Sequence, residues 1–325
     1  MNPVYTEVLS TRHNHLVDPG LHIWGWEIPV YLFLGGVVAG VMVLLALLEL
    51  RRNRRPVSAA AQWMPFVAIV LLSLGMGALF LDLDFKAHVY RFYAAFEPTS
   101  PMSWGAWILI AVYPVLVLLG LGALDDSTRQ WLGKLRPLKP VSRPLGWAFR
   151  LADSTRRGMV WASLALGVGL GAYTGLLLGT MVARLGWNSG VMGPLFLTSG
   201  ISTGAALMML FHLEHEEEHL MLRWDTVAIA VELLLLAALL VSFSTGGATG
   251  EIAAHNLMGG RFTPWFWSLV VVGGLIVPLT MNLLEARGRA RASVVAPILV
   301  LVGGLALRAV LVASGQATAF HMLGG

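Results

Sequence analysis

Apolar residues fall in eight long runs separated by short polar stretches, at about 28–50, 63–83, 104–124, 158–184, 191–213, 225–244, 264–285 and 293–314. Each run is close to the roughly 20 residues that an α-helix needs to cross the hydrocarbon core of a bilayer. Continuous apolar runs of this length satisfy their backbone only as helices when no water is present. The pattern therefore predicts an all-α integral membrane protein of eight transmembrane helices. Composition agrees: 57% of the 325 residues are apolar and 12% are charged, about half the charge of an ordinary soluble domain. The expected organisation is an N-terminal segment over 1–27, one membrane domain over 28–314 and a tail over 315–325. The polar start lacks an apolar core preceded by basic residues, so it does not read as a cleaved signal peptide.

Charge adds orientation. The net charge is +4, but the basic residues are unevenly placed. Arg51, Arg52, Arg54 and Arg55 follow span 1, eight Lys and Arg lie between Arg129 and Arg157, Arg223 follows span 5, and Arg287, Arg289 and Arg291 follow span 7. The opposite side carries only Arg12, Lys86, Arg91, Arg184 and Arg261. By the positive-inside rule both termini are expected in the periplasm of a bacterium, with the protein in the inner membrane. The basic excess is then a topology signal, and no nucleic-acid partner is expected. Most tryptophans fall near the expected span ends, where amphipathic rings settle. There is no cysteine, which excludes iron–sulfur clusters, disulfides and thiol catalysis within the chain.

Polar residues inside the runs are the candidates for chemistry. Span 4 holds a stripe of Gly167, Gly171, Gly175 and Gly179, a spacing that lets helices approach closely. Tyr173 lies about 200° around the helix from that stripe, so it points elsewhere. Its phenol bonds either a neighbouring helix or a ligand entering from lipid. Glu232 in span 6 and Arg308 in span 8 are expensive in lipid and are expected to face a partner, water or a proton path, although Arg308 could snorkel. Polar groups also gather at the outer span ends: Glu27 before span 1, and Asp82, Asp84 and His88 after span 2. Asp82 and Asp84 are two residues apart and so face different ways. The run from His212 to His219 reads as the end of span 5. His212, His215 and His219 there share a helical face, which suits a solvated helix end, a divalent metal or a proton antenna; no metal site is assigned. Histidines are missing from mid-span positions, so b-type haem is not expected. Nucleotide-binding loops and nucleophile elbows are absent from the sequence.

Several segments together carry a resemblance: Trp24-Gly-Trp-Glu27 followed by Tyr31-Leu-Phe-Leu-Gly-Gly36; Asp82-Leu83; Ser100-Pro-Met-Ser-Trp-Gly-Ala-Trp107; Tyr173-Thr-Gly175; and Gly303-Gly304 with Arg308 and Gly315-Gln316. Over nearly its whole length the protein resembles the NrfD/PsrC family, the membrane anchor and quinone-handling subunits of polysulfide-reductase-like complexes. The resemblance implies two four-helix bundles and a menaquinone or ubiquinone site near the periplasmic face. It also implies a docked ferredoxin-like iron–sulfur subunit that exchanges electrons with a molybdopterin or other catalytic subunit. On this resemblance Tyr173 takes the family's quinone-site tyrosine. The family's Asn and His at the start of span 1 are matched here only by His22, Glu27 and Tyr31, with Trp104 heading span 3. The sequence after Asp82-Leu83 also departs from the Gly-Arg-Pro that many members show.

The expected function is therefore a quinone-binding subunit, not catalytic alone but part of a quinone-dependent oxidoreductase. Asp82, Asp84, His88, Glu232 and Arg308 are its candidates for proton transfer. Two other readings use the same residues. In an ion or proton transporter the buried charges would line a path; discontinuous helices repeated in both halves would mark it, and the intraspan prolines do not pair in that way. In a passive anchor the quinone site would be degenerate.

Overall fold

The computed structural model describes residues 24–52, 58–83, 85–94, 96–134, 142–181, 184 and 186–317. His22, Asp84 and the end of the tail lie outside the described residues. Eight helices among them are long and apolar enough to cross a membrane. They are α1 (Glu27–Arg52), α2 (Ala59–Asp82), α4 (Pro101–Ala123), α6 (Ser142–Gly179), α7 (Met192–Met209), α8 (His215–Ser244), the composite helix Thr263–Ala286 and α12 (Val295–Ala317). Short helices fill the connections: α3 (Arg91–Ala94), α5 (Asp126–Lys134) and α9 (Gly247–Met258). The composite helix consists of α10 (Thr263–Trp265), a π-helical stretch over Phe266–Ile276, and α11 (Val277–Ala286).

Local chemistry sets several helix ends. The Ser58 hydroxyl accepts from the Ala61 amide at 3.1 Å, capping α2, a contact that satisfies one of the otherwise unpaired amides of a first turn. Pro101 opens α4 after an extended Ser100, where a missing N–H costs nothing. Two boundaries shift. Span 4 is extended at its start, because α6 begins at Ser142 rather than near 158 and continues unbroken to Gly179. The His212–His219 run does not end span 5: α7 stops at Met209 and α8 starts at His215 after an extended Glu214. Glu216, Glu217 and Glu218 fall in the first turn of α8, where carboxylates favour a helix start. His212 is consequently off the helix that carries His215 and His219, whose Nε2 atoms lie 3.2 Å apart.

The core is organised around α1, which packs against α2, α6, α7 and α12. Glycine makes this possible. Gly40 of α1 meets the backbone of α7 at Gly200 and Gly204, and a Cβ on any of the three would strike the facing main chain. The span 4 stripe behaves as its spacing predicts: Gly167 and Gly171 lie against Ala39, Met42, Val43 and Leu197, and Gly175 against Met192 and Gly193. A second close crossing pairs Gly274 of the π-helical stretch with Gly303 of α12. Hydrogen bonds lock the ends of α1 and α12 together. The Trp24 amide donates to Gln316 at 2.8 Å, and the Gln316 amide donates back to the Trp24 carbonyl at 3.0 Å. The Trp187 ring lies over Gly315 and donates to the Leu311 carbonyl at 2.8 Å.

The α1–α7 crossing predicts an asymmetry among glycines. Gly200→Val should destabilise the protein by about 2 kcal/mol or more through overpacking against Gly36. Gly158→Ala, at an open helical position, should be neutral or stabilising by up to about 1 kcal/mol. Unfolding curves in detergent check this, and equal effects at the two positions would contradict the packing.

Candidate functional site

A cavity of about 490 Å³ opens between α1, α2, α4 and α6, under a roof made by the 85–94 connection. Its wall is mostly apolar, with Ile28 and Leu32 from α1, Met76 and Phe80 from α2, and Leu177 and Leu178 from α6. Polar groups enter it at few points: Tyr31, Tyr173, Tyr93 and Asp82. Apolar clefts with a few convergent polar groups are the usual form of a small-molecule site.

The two buried phenols are partners. Tyr31 and Tyr173 hydroxyls lie 2.6 Å apart across the α1–α6 interface. Tyr173 faces away from the glycine stripe and lies against Gly105 of α4, where any Cβ would overlap its ring. The glycine within Ser-Pro-Met-Ser-Trp-Gly is thus the space that the Tyr173 ring occupies. Each phenol can donate one proton and accept others. One O–H is used within the pair, so the pair retains one spare donor together with acceptor lone pairs. It can bond a carbonyl oxygen or a hydroxyl equally well. Burial raises the Tyr93 phenol above its ordinary pKa, with Tyr113 adding to the effect, so the roof also presents a neutral hydroxyl.

Other sequence candidates sit differently. Asp82 reaches the wall at the C-terminal end of α2. Met102, Ala106 and Leu109 line it from one face of α4. Trp104, two residues on from Met102, is exposed on the outside of the helices and donates to the Pro98 carbonyl at 2.8 Å. Glu27 stands one turn before Tyr31, its carboxylate folded against Gly25, and does not contribute to the wall. His88 is exposed on the roof beside the Phe85 and Tyr90 rings, while its neighbours Val89 and Phe92 line the cavity.

Behind α1 lies a second, fully buried polar group. Arg308 does not snorkel. Its Nε donates to the Leu32 carbonyl at 3.1 Å, and its Nη1 to Ser199 Oγ at 3.1 Å and to the Gly304 carbonyl at 2.8 Å. The guanidinium sits over the rings of Phe196 and Phe33. Its Nη2 points at Gly36 without a hydrogen-bond partner among the described residues. Glu232 is buried and lies close to Ser199 and within the field of the Arg308 charge. Because α8 starts ten residues before the expected span, Glu232 lies in mid-helix rather than near its end.

Two turns earlier on the same face of α8, Asp225 accepts from Ser202 Oγ and from Asn282 Nδ2, both at 2.7 Å. Sequence reasoning does not find Asp225, Asn282, Ser199 or Ser202. The seven-residue spacing of Asp225 and Glu232 is the available signal, hidden by placing Asp225 at a span edge. Among the described residues no group of three or more metal-ligating side chains comes together.

The family model for polysulphide reductase, NrfD, matches residues 11–320. The chain belongs to the NrfD/polysulphide reductase family. It is 28% identical over 309 residues to a chain of the polysulfide reductase of Wolinella succinogenes, covering 90% of this protein and 94% of that one. It is 32% identical to protein NrfD of Escherichia coli over 320 residues, covering 91% and 96% respectively. A subunit of the selenate reductase of Mesobacillus selenatarsenatis is a more distant relative, 22% identical over 204 residues, or 58% of this protein and 47% of the relative. Family members are membrane subunits of reductase complexes, and this NrfD-family protein is a multi-span membrane protein of the same kind.

The Asp225 cluster yields a stability prediction. Asp225→Ala strands the Asn282 amide and the Ser202 hydroxyl in a buried site and should cost about 2–3 kcal/mol. Asp225→Asn, which keeps the shape and most of the bonding, should cost about half as much. Denaturant titrations in detergent resolve the two, and an equal cost would mean that the bonds to Asp225 add nothing.

Proposed function

We propose that this protein is the quinone-handling membrane anchor of a multi-subunit oxidoreductase in the bacterial inner membrane. In this reading the eight spans form two four-helix bundles, both termini face the periplasm, and segments 1–27 and 315–325 flank a single membrane domain over 28–314. The observation that carries the proposal is the apolar cavity with the Tyr31–Tyr173 pair in its wall. A menaquinone or ubiquinone head group fits both its volume and its chemistry. Two relatives are named as parts of a polysulfide reductase and a selenate reductase. That supports a catalytic partner here, such as a molybdopterin subunit, reached through a periplasmic ferredoxin-like iron–sulfur subunit.

A bound quinol supplies two electrons and two protons when it is oxidised. Tyr173 and Tyr31 orient one ring oxygen: the spare O–H donates to a carbonyl, and a phenol lone pair accepts from a hydroxyl. Asp82, in the cavity wall at the C-terminal end of α2, takes the proton outward toward His88, and Asp84 is a further candidate for that transfer. Glu27 lies one turn before Tyr31, off the cavity wall, and serves to relay protons rather than to bond the ring; His22 is the other candidate for that relay. With no cysteine and therefore no cluster of its own, the protein hands the electrons directly to its partner.

A second observation supports coupling to proton movement. Asp225, Ser202, Ser199, Glu232 and Arg308 form a buried polar file ending at the Leu32 carbonyl, and Leu32 also lines the cavity. Intramembrane charges at such depth are expensive and usually mark a transfer path.

Quinol oxidation by the intact complex tests the site. Tyr173→Phe and Tyr31→Phe should each weaken apparent quinol affinity or turnover roughly tenfold, the value of about one hydrogen bond. Unchanged kinetics in both, or a purified complex with no exchangeable quinone, would favour the passive anchor. In proteoliposomes Glu232→Gln should lower the number of protons moved per electron pair while electron transfer continues. Unaltered proton movement would remove the buried file from the mechanism. Ion flux without any quinone would favour the transporter.

A further inference from the structure

The arginine-rich end of the molecule carries a cleft that none of the quinone chemistry uses. It has a volume of about 580 Å³ and lies where the last turn of α1, the first turns of α8 and the end of α11 meet. Arg51 of α1 and Arg223 of α8 both line it. Neither makes a hydrogen bond or ion pair among the described residues. The one carboxylate in the wall, Glu216, has a partner of its own. The rest of the wall is mainly apolar, with Leu220, Leu222, Val227 and Ala286. That apolar side continues toward mid-membrane along the exposed face of α8, through Val227, Val231 and Leu234, the last 71% exposed.

Two unpaired guanidiniums from different helices facing one cleft are more than a topology signal. Arginines that only mark orientation have no need to converge. Guanidinium forks match the oxygens of a phosphate, and basic pockets between transmembrane helices take the head groups of anionic lipids. The wall also has two characters, charged at the membrane edge and apolar toward the core, as a molecule with an anionic head and a hydrocarbon tail requires. We propose that this cleft binds the phosphodiester head group of an anionic phospholipid through Arg51 and Arg223, with an acyl tail lying along Val227, Val231 and Leu234. The site staples α1 to α8 and so joins the helix that forms the cavity wall to the one that carries Asp225 and Glu232.

The test uses the complex as isolated, exchanged through detergent to remove loose lipid. Native mass spectrometry and thermal unfolding would be followed on adding phosphatidylglycerol or cardiolipin, phosphatidylcholine, or inorganic phosphate. The proposal expects selective retention of the anionic lipids with a rise in unfolding temperature. In Arg51→Gln/Arg223→Gln their affinity should fall by about tenfold or more. Arg51→Lys/Arg223→Lys, which keeps the charge but loses the guanidinium fork, should bind more weakly than the parent and more tightly than the double Gln variant, and Arg261→Gln, outside the cleft, should leave binding unchanged. Equal retention of phosphatidylcholine, or a double Gln variant that binds as before, would overturn the proposal. A response to inorganic phosphate matching that to lipid would assign the cleft to a soluble anion and overturn it as well.

Discussion

The approach of α1 to α7 at Gly40, Gly200 and Gly204 is the constraint on which the rest of the structure depends. In lipid there is no hydrophobic drive between helices, so association rests on close packing and on internal polar bonds. Removing three side chains at one crossing brings two backbones into contact and makes α1 the centre of the molecule. One face of α1 then looks into the cavity through Tyr31, and the opposite side receives Arg308 at the Leu32 carbonyl. Consecutive residues of one helix thus form the partition between a site open to an apolar ligand and a sealed polar interior.

That partition explains how a full charge persists at mid-membrane. A buried guanidinium is tolerable when most of its donors are matched and a counter-charge is near, as here, where Nη2 is left without a partner among the described residues. Arg308 obtains a backbone carbonyl from each of two helices, a serine from a third and the field of Glu232 from a fourth. Each of these partners is fixed by packing rather than by the arginine itself. Gly36 and Gly304 leave the room for it. A side chain held this way has little freedom to reorient, so any proton passing Glu232 would be shuttled by the carboxylate and serine hydroxyls around a fixed positive charge.

Much of this is legible in the sequence, for identifiable reasons. The eight spans follow from hydropathy alone, and the separation of Tyr173 from its glycine stripe follows from helical angle. Tyr31 stands beside Tyr173 among the sequence candidates, but their bond joins residues 142 positions apart, which no local pattern reveals. The role of Gly105 is likewise hidden, because an empty space has no signature until its occupant is known. Local charge misleads at residues 212–219: a His/Glu run beside an apolar stretch reads as a helix end, yet the acidic residues mark the beginning of the next one. That single boundary moves Glu232 to mid-membrane and obscures its pairing in register with Asp225. Trp104 and Glu27 are drawn toward the site by the segments they belong to, whereas neither side chain lines the cavity and Trp104 is exposed.

The composite span Thr263–Ala286 shows where periodicity itself fails. A wheel drawn at 3.6 residues per turn assumes one register from end to end. The π-helical stretch over Phe266–Ile276 uses i→i+5 bonds and more residues per turn, so everything after it is rotated relative to a regular helix. Two contacts need that rotation at once. Gly274 must face Gly303 on α12, within the stretch, and Asn282 must face Asp225 on α8, just beyond it. These partners lie on different neighbours, and the altered winding lets one helix serve both. Regions of π-helix are frequent at functional sites, and here the widened turns bring an amide onto the Asp225 carboxylate, at the end of the polar file away from Arg308. Restoring regular winding would keep the span and its hydropathy but turn Asn282 away, leaving Asp225 with one donor where it now has two.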